Sequence, residues 1–115
     1  MAAKILIVED EAVVAFEIRD ILQGAGFEIA ECAGSVDKAL SVLKDSDCDI
    51  AILDANLRGR SVEPVARALQ QHGKPFLFVS GYQRAYLPEA FADAPLLPKP
   101  IVPGALIAVI SRLVS

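Results

Sequence analysis

The residues able to do chemistry stand at the ends of apolar runs. Glu9, Asp10 and Glu11 close the run KILIVE, Asp54 closes DIAILD, Ser80 and Gly81 close KPFLFVSG, and Lys99 with Pro100 closes APLLPKP. Brought to one place, these carboxylates would repel one another. Like charges about 4 Å apart cost on the order of 4 kcal/mol at an effective dielectric of about 20. Lys99 supplies one positive charge and cannot neutralise them all. A hard divalent cation is the natural counterion. Magnesium accepts one or two carboxylates, keeps several waters and shares its remaining positions with a phosphoryl group. The set therefore points to phosphoryl transfer. Asp54 is the nucleophilic carboxylate, able to form an acyl phosphate. Magnesium and Lys99 offset charge on the phosphoryl oxygens. The Ser80 hydroxyl donates to one of those oxygens, and Gly81 leaves the approach open and adds an N–H.

Such a cluster needs elements that deliver all four ends to one edge. KILIVE (4–9) is a nearly continuous apolar run, as expected of a strand buried on both faces. From Glu11 to Ala25 the period changes: Val14, Ile18, Ile21, Leu22 and Ala25 recur at helical spacing, and Gly24 and Gly26 mark the exit. FEIAECA (27–33) alternates as a strand. Ser35 then caps a helix carrying Val36, Ala39, Leu40 and Leu43 on one face. DIAILD (49–54) is a third strand, followed by a loop, ANLRGR (55–60). Ser61 is a candidate N-cap for a helix with Val62, Val65, Ala66 and Leu69 inside, and Pro64 restricts that position to a first turn. KPFLFVSG (74–81) is the fourth strand. A weak helix is expected around Pro88–Ala92, then a short fifth strand within 94–100. A last helix has Val102, Leu106, Val109, Ile110 and Leu113 inside. The order is (βα)5, a parallel sheet with helices on both faces and right-handed crossovers. Ligands of such sheets bind beyond the C-terminal strand ends, where the reactive residues lie.

The chain has 115 residues and reads as one domain, 1–115, with no repeat or linker. It is 54% hydrophobic and 23% charged, enough for a packed core. A net charge of -4 and the absence of a Lys/Arg run argue against nucleic-acid binding. No apolar stretch approaches the roughly 20 residues that span a bilayer, so no membrane association is expected. Acids by Glu9 cut short any signal-peptide pattern. Cys32 and Cys48 read as reduced thiols in a cytoplasmic protein, packed as small apolar side chains. The last helix is expected to end about where these 115 residues end, so no output domain is expected within them.

At this point the residues resemble a family: the receiver domains of response regulators in bacterial two-component systems. An acidic pair after strand one, a lone Asp after strand three, Ser/Thr after strand four and Lys-Pro after strand five occur in order along the whole chain. The resemblance implies a flavodoxin-like fold with strand order 2-1-3-4-5. It implies Asp54 as phosphoacceptor, Ser80 as switch hydroxyl and Lys99 as partner of the phosphoryl charge. It implies magnesium held by Asp10 directly, by Glu9 mostly through water, by Asp54, and by the backbone carbonyl of Asn56. It also implies a cis bond before Pro100. The donor would be a sensor histidine kinase or a histidine phosphotransfer protein, and the output contact with a downstream protein. Such a chain is no enzyme beyond its own phosphoryl transfer and dephosphorylation.

One departure is informative. Leu96 stands where typical receivers carry a switch Tyr or Phe. Aromatic residues lie instead around strand four, at Phe76, Phe78 and Tyr82. The stretch FVSGY (78–82) resembles the Phe-Ala-Thr-Gly-x-Tyr signature of an atypical, commonly single-domain subfamily often paired with HWE-class kinases. Relay of the signal would then run through Gly81, Tyr82 and the weak fourth helix.

Blander readings exist for each residue. Asp54 alone could simply start a turn, and Glu9-Asp10 could favour a helix N-terminus. Ser80 could cap backbone, Lys99 could be a solvated lysine, and Tyr82 could pack on the fourth helix. His72 reads as a surface residue near a helix end. Ala105, Ile107 and Ala108 fall on the outer face of the last helix, which suggests a homodimer or partner surface. Two other functions stay open. One is a non-phosphorylated pseudo-receiver acting as an interaction module. The other is a phosphohydrolase resembling the haloacid-dehalogenase family, which would need Asp-x-Asp after strand one and a cap insertion.

Overall fold

A computed structural model describes residues 3–45, 47–57, 59–81, 91 and 93–114. Its elements run β1 (Lys4–Val8), α1 (Ala12–Gly24), β2 (Glu28–Ala33), α2 (Val36–Asp45), β3 (Ile50–Asp54), β4 (Asn56–Leu57), β5 (Arg60–Ser61), α3 (Glu63–Gln71), β6 (Phe76–Ser80), β7 (Leu96–Pro98) and α4 (Pro103–Val114). The main sheet is wholly parallel, in the order β2-β1-β3-β6-β7. Numbering only its five strands, that is the expected 2-1-3-4-5. The helix expected around Pro88–Ala92 lies outside the described residues except for Phe91, and Tyr82 lies outside them too.

The apolar runs are continuous because the sheet is buried on both faces. Alternate residues serve different sides. Ile5, Ile7, Ile50, Ile52, Leu77 and Val79 pack under α1 and α4, with Ile18, Leu22, Leu106 and Ile110. Leu6, Val8, Ala51, Leu53 and Phe78 pack under α2 and α3, with Val36, Ala39, Val65 and Leu69. Phe91 joins this second layer. Its ring lies 5.6 Å from Phe76 and 6.3 Å from Phe78, an aromatic trio covering β6. Nothing in its sequence context marked it for the core.

Local chemistry sets the helix ends. Ser35 Oγ accepts the Lys38 N–H at 3.1 Å, the expected cap of α2. Ser35→Ala should cost about 1 kcal/mol, read as a lower urea midpoint with an unchanged slope. Helices α1 and α3 close alike. After each, a glycine takes positive φ, +94° at Gly26 and +67° at Gly73. Each closure carries paired backbone bonds: Phe27 and Gly26 donate to Leu22 and Gln23, and Lys74 and Gly73 to Leu69 and Gln70.

Several details differ from expectation. The stretch 55–60 is not only loop: β4 and β5 pair antiparallel there across Gly59 at φ +79°, and Leu57 is buried beneath the ribbon. Ser61 belongs to β5, and Val62 holds the N-cap position of α3. The Ser61 hydroxyl still accepts the Glu63 N–H at 3.1 Å. Ala15 and Val42 are buried although periodicity passed over them, while Ala25 is exposed past the end of α1. Val102 precedes α4 and is exposed, not inward. On the outer side of α4, Ala105 and Ala108 are exposed and Ile107 is half-buried. Cys48 is buried, Cys32 only half-buried, and both are free. Burial raises both thiols above the usual range. No helix among the described residues is long and apolar enough to cross a membrane.

Candidate functional site

Parallel register brings the strand ends level. Val8 is opposite Leu53, so Glu9 and Asp54 follow side by side. Asp54 is opposite Val79, and Ser80 is opposite Pro98, which puts Ser80 and Lys99 on the same edge. Backbone bonds extend the ladder past the strands: Glu9 N–H donates to Ala33, Ala55 N–H to Val79, and Lys99 N–H to Ser80. Lys99 is therefore placed by the backbone of β6, not by its own contacts alone. The Lys99–Pro100 peptide bond is cis.

The side chains converge on Lys99. Its Nζ lies 3.2 Å from Glu9 Oε1, 3.5 Å from Asp54 Oδ2 and 3.5 Å from Glu11 Oε1. Glu9, Asp54 and Ser80 are buried at 4, 6 and 2% exposure, whereas Glu11 is open to solvent. Buried carboxylates beside one another cannot all stay charged cheaply. Glu9 bears that strain. Its carboxyl is pushed up to about 7, first by burial, then by the Asp54 charge and a hydrogen bond with Asp54, and Lys99 only partly offsets this. For Lys99 burial works against the charge, but Asp54, Glu9 and Glu11 outweigh it and hold the pKa above the usual lysine value.

The acids also form a cation-binding arrangement. Glu9, Asp10 and Asp54 each offer an oxygen, all within 4.8 Å of one another. Glu9 Oε2 is buried with no hydrogen-bond partner among the described residues. An orphaned buried oxygen within a cluster of hard donors suits magnesium.

The structure thus brings together Glu9, Asp10, Asp54, Ser80 and Lys99. Asn56 opens β4 two residues beyond Asp54, and Gly81 leaves β6 exposed. Pro100 follows the cis bond, and Tyr82 falls outside the described residues. His72 is exposed at the end of α3, as expected. Glu11 was legible as a strand-end acid, but nothing in the sequence showed that it reaches Lys99.

Comparisons with known proteins agree with this fold and identify the family. The family described as response regulator receiver domain matches residues 5–111. The Phyllosphere-induced regulator PhyR of Methylorubrum extorquens is 28% identical over 97% of this chain. The chain spans 43% of that regulator's length. The solution structure of SdrG from Sphingomonas melonis Fr1 is 34% identical, covering 99% of this chain and 98% of that one, with a TM-score of 0.87. A second SdrG structure, in a BeF3-activated conformation, is 35% identical over all of both chains, with a TM-score of 0.84. These relatives support the resemblance to the atypical subfamily.

Proposed function

Because this chain belongs to the response regulator receiver domain family, we propose that it accepts a phosphoryl group on Asp54 and passes the event on through protein contacts. The observation carrying this reading is the buried Asp54 carboxylate with Lys99 Nζ at 3.5 Å, inside a cluster of acids. Receiver domains are signalling domains that work with histidine kinases and downstream proteins. The donor here is a phosphohistidine on a sensor kinase or phosphotransfer protein.

In the transfer, an Asp54 carboxylate oxygen attacks phosphorus. An O–P bond forms, the P–N bond of the donor breaks, and its electron pair returns to the imidazole. Asp54 is pre-placed by the end of β3, so little motion is needed to reach a near-attack geometry. Lys99 lies close enough to turn from Asp54 toward a phosphoryl oxygen. The Ser80 hydroxyl donates to another. Glu9, Asp10, Asp54 and the Asn56 carbonyl would hold magnesium, which supplies positive charge against the phosphoryl oxygens. A bound phosphoryl group brings charge near -2 and new acceptors. Movement of Ser80 and Lys99 toward it would carry the event from Asp54 to the surface that meets a partner. A related structure is that of the BeF3-activated conformation of SdrG, which supports reading this fold as one that can be activated.

Intact mass after incubation with magnesium and acetyl phosphate tests the reading. A gain of about 80 Da that needs magnesium is expected, with acetate released. No gain, with a cognate histidine kinase also failing, would turn the assignment to a non-phosphorylated interaction module.

A further inference from the structure

Glu11 occupies the N-cap position of α1 without capping it. Its backbone is extended, at φ -88° and ψ 112°, and its side chain makes no bond to the first turn. Its carboxylate instead lies 3.5 Å from Lys99 Nζ. The backbone N–H of Glu11 donates to Glu9 Oε1 at 3.3 Å, which fixes it beside the buried acids. Lys99 thus has two buried carboxylate partners and one exposed one, and the exposed one stands at the mouth of the site.

We propose that Glu11 is a positioning residue for Lys99 and an electrostatic barrier to small anionic phosphodonors. This rests on the phosphoacceptor reading above. Two effects follow from its place. First, it offers Lys99 a partner on the solvent side, competing with the phosphoryl group that Lys99 must meet. Second, its charge faces any anion approaching Asp54 from solvent. Charges at the rim of a site act mainly on association rate and on its salt dependence. An exposed ion pair of this kind adds little to stability, so rate is the property it can control.

The test compares wild type, Glu11→Gln and Glu11→Asp at saturating magnesium, following the rate of mass gain from acetyl phosphate. Glu11→Gln keeps the shape and loses the charge. It should react about three- to tenfold faster at low salt. The advantage should shrink strongly in about 0.5 M salt, where screening falls to a few ångströms. Phosphoramidate, which carries less negative charge, should gain less than acetyl phosphate. Glu11→Asp, with its charge retained, should stay close to wild type. A merely structural role would move neither the salt dependence nor the donor dependence. In the chain without donor, the Lys99 methylene resonances should shift in Glu11→Gln.

Equal rates and equal salt dependence for wild type and Glu11→Gln would overturn the proposal. If no chain takes up a phosphoryl group, the phosphoacceptor reading has failed instead. The Lys99 resonances then decide the positioning role: unchanged resonances in Glu11→Gln overturn it.

Discussion

Asp54→Asn should take up no phosphoryl group, and in EDTA it should unfold at a higher urea concentration than the wild type. The first half follows from chemistry. The amide oxygen is a poor nucleophile, and an amide cannot form the acyl phosphate. The second half follows from charge. Among the described residues, Glu9, Glu11 and Asp54 lie against the Lys99 ammonium and Asp10 stands beside Glu9 and Asp54, so these described groups together carry net negative charge. Asp54 is buried at 6% exposure, so its charge is also poorly solvated. Asparagine keeps the volume and removes one unit of that charge. Lys99 loses one partner but keeps Glu9 and Glu11. The net gain should be about 1–3 kcal/mol, below the full repulsion because the lysine's attraction is lost too. With saturating magnesium the order should reverse, since the ion stabilises only a fold that binds it. A destabilised Asp54→Asn in EDTA would refute the repulsion account.

Glu9 makes the metal-free fold sensitive to pH in an uncommon direction. Its folded pKa is about 7, against an ordinary value of 4.5. Between these values the folded chain holds a proton that the unfolded chain has released. The contribution is therefore complete below 4.5 and is lost as pH rises through 7. Its size is at most about 3 kcal/mol. In EDTA, urea midpoints should fall between pH 5 and 8, and Glu9→Gln should flatten that fall. Saturating magnesium should suppress it as well, because a cation favours the charged carboxylate. A wild type and a Glu9→Gln chain with parallel pH profiles would show that Glu9 does not hold this proton.

Much of this was written in the order of residues, and the reason is topological. A parallel sheet buried on both faces demands continuous apolar runs, which makes β1, β3 and β6 plain in sequence. The same topology sends every strand toward one edge, so the sequence alone groups the terminal Glu9, Asp54, Ser80 and Lys99. What escaped depends on contacts distant in sequence. Phe91 is buried because Phe76 and Phe78 offer ring edges, and no local period announces that. The β4–β5 ribbon needs only Gly59 at positive φ, too short a pattern to detect. Glu11 reaches Lys99 across 88 positions, a pairing that spacing alone cannot reveal.

The strand that carries Lys99 to the site is also an outer strand of the sheet. The Phe78 N–H donates to Pro95 and the Lys99 N–H to Ser80, so alternation turns the backbone groups of Leu96 and Pro98 away from β6, toward the open edge. Proline has no N–H to offer a passing chain. An exposed edge invites pairing between molecules and aggregation, and Pro98 removes a donor from that edge. The same short strand thus delivers the lysine on its inner side and resists fibre-like addition on its outer side.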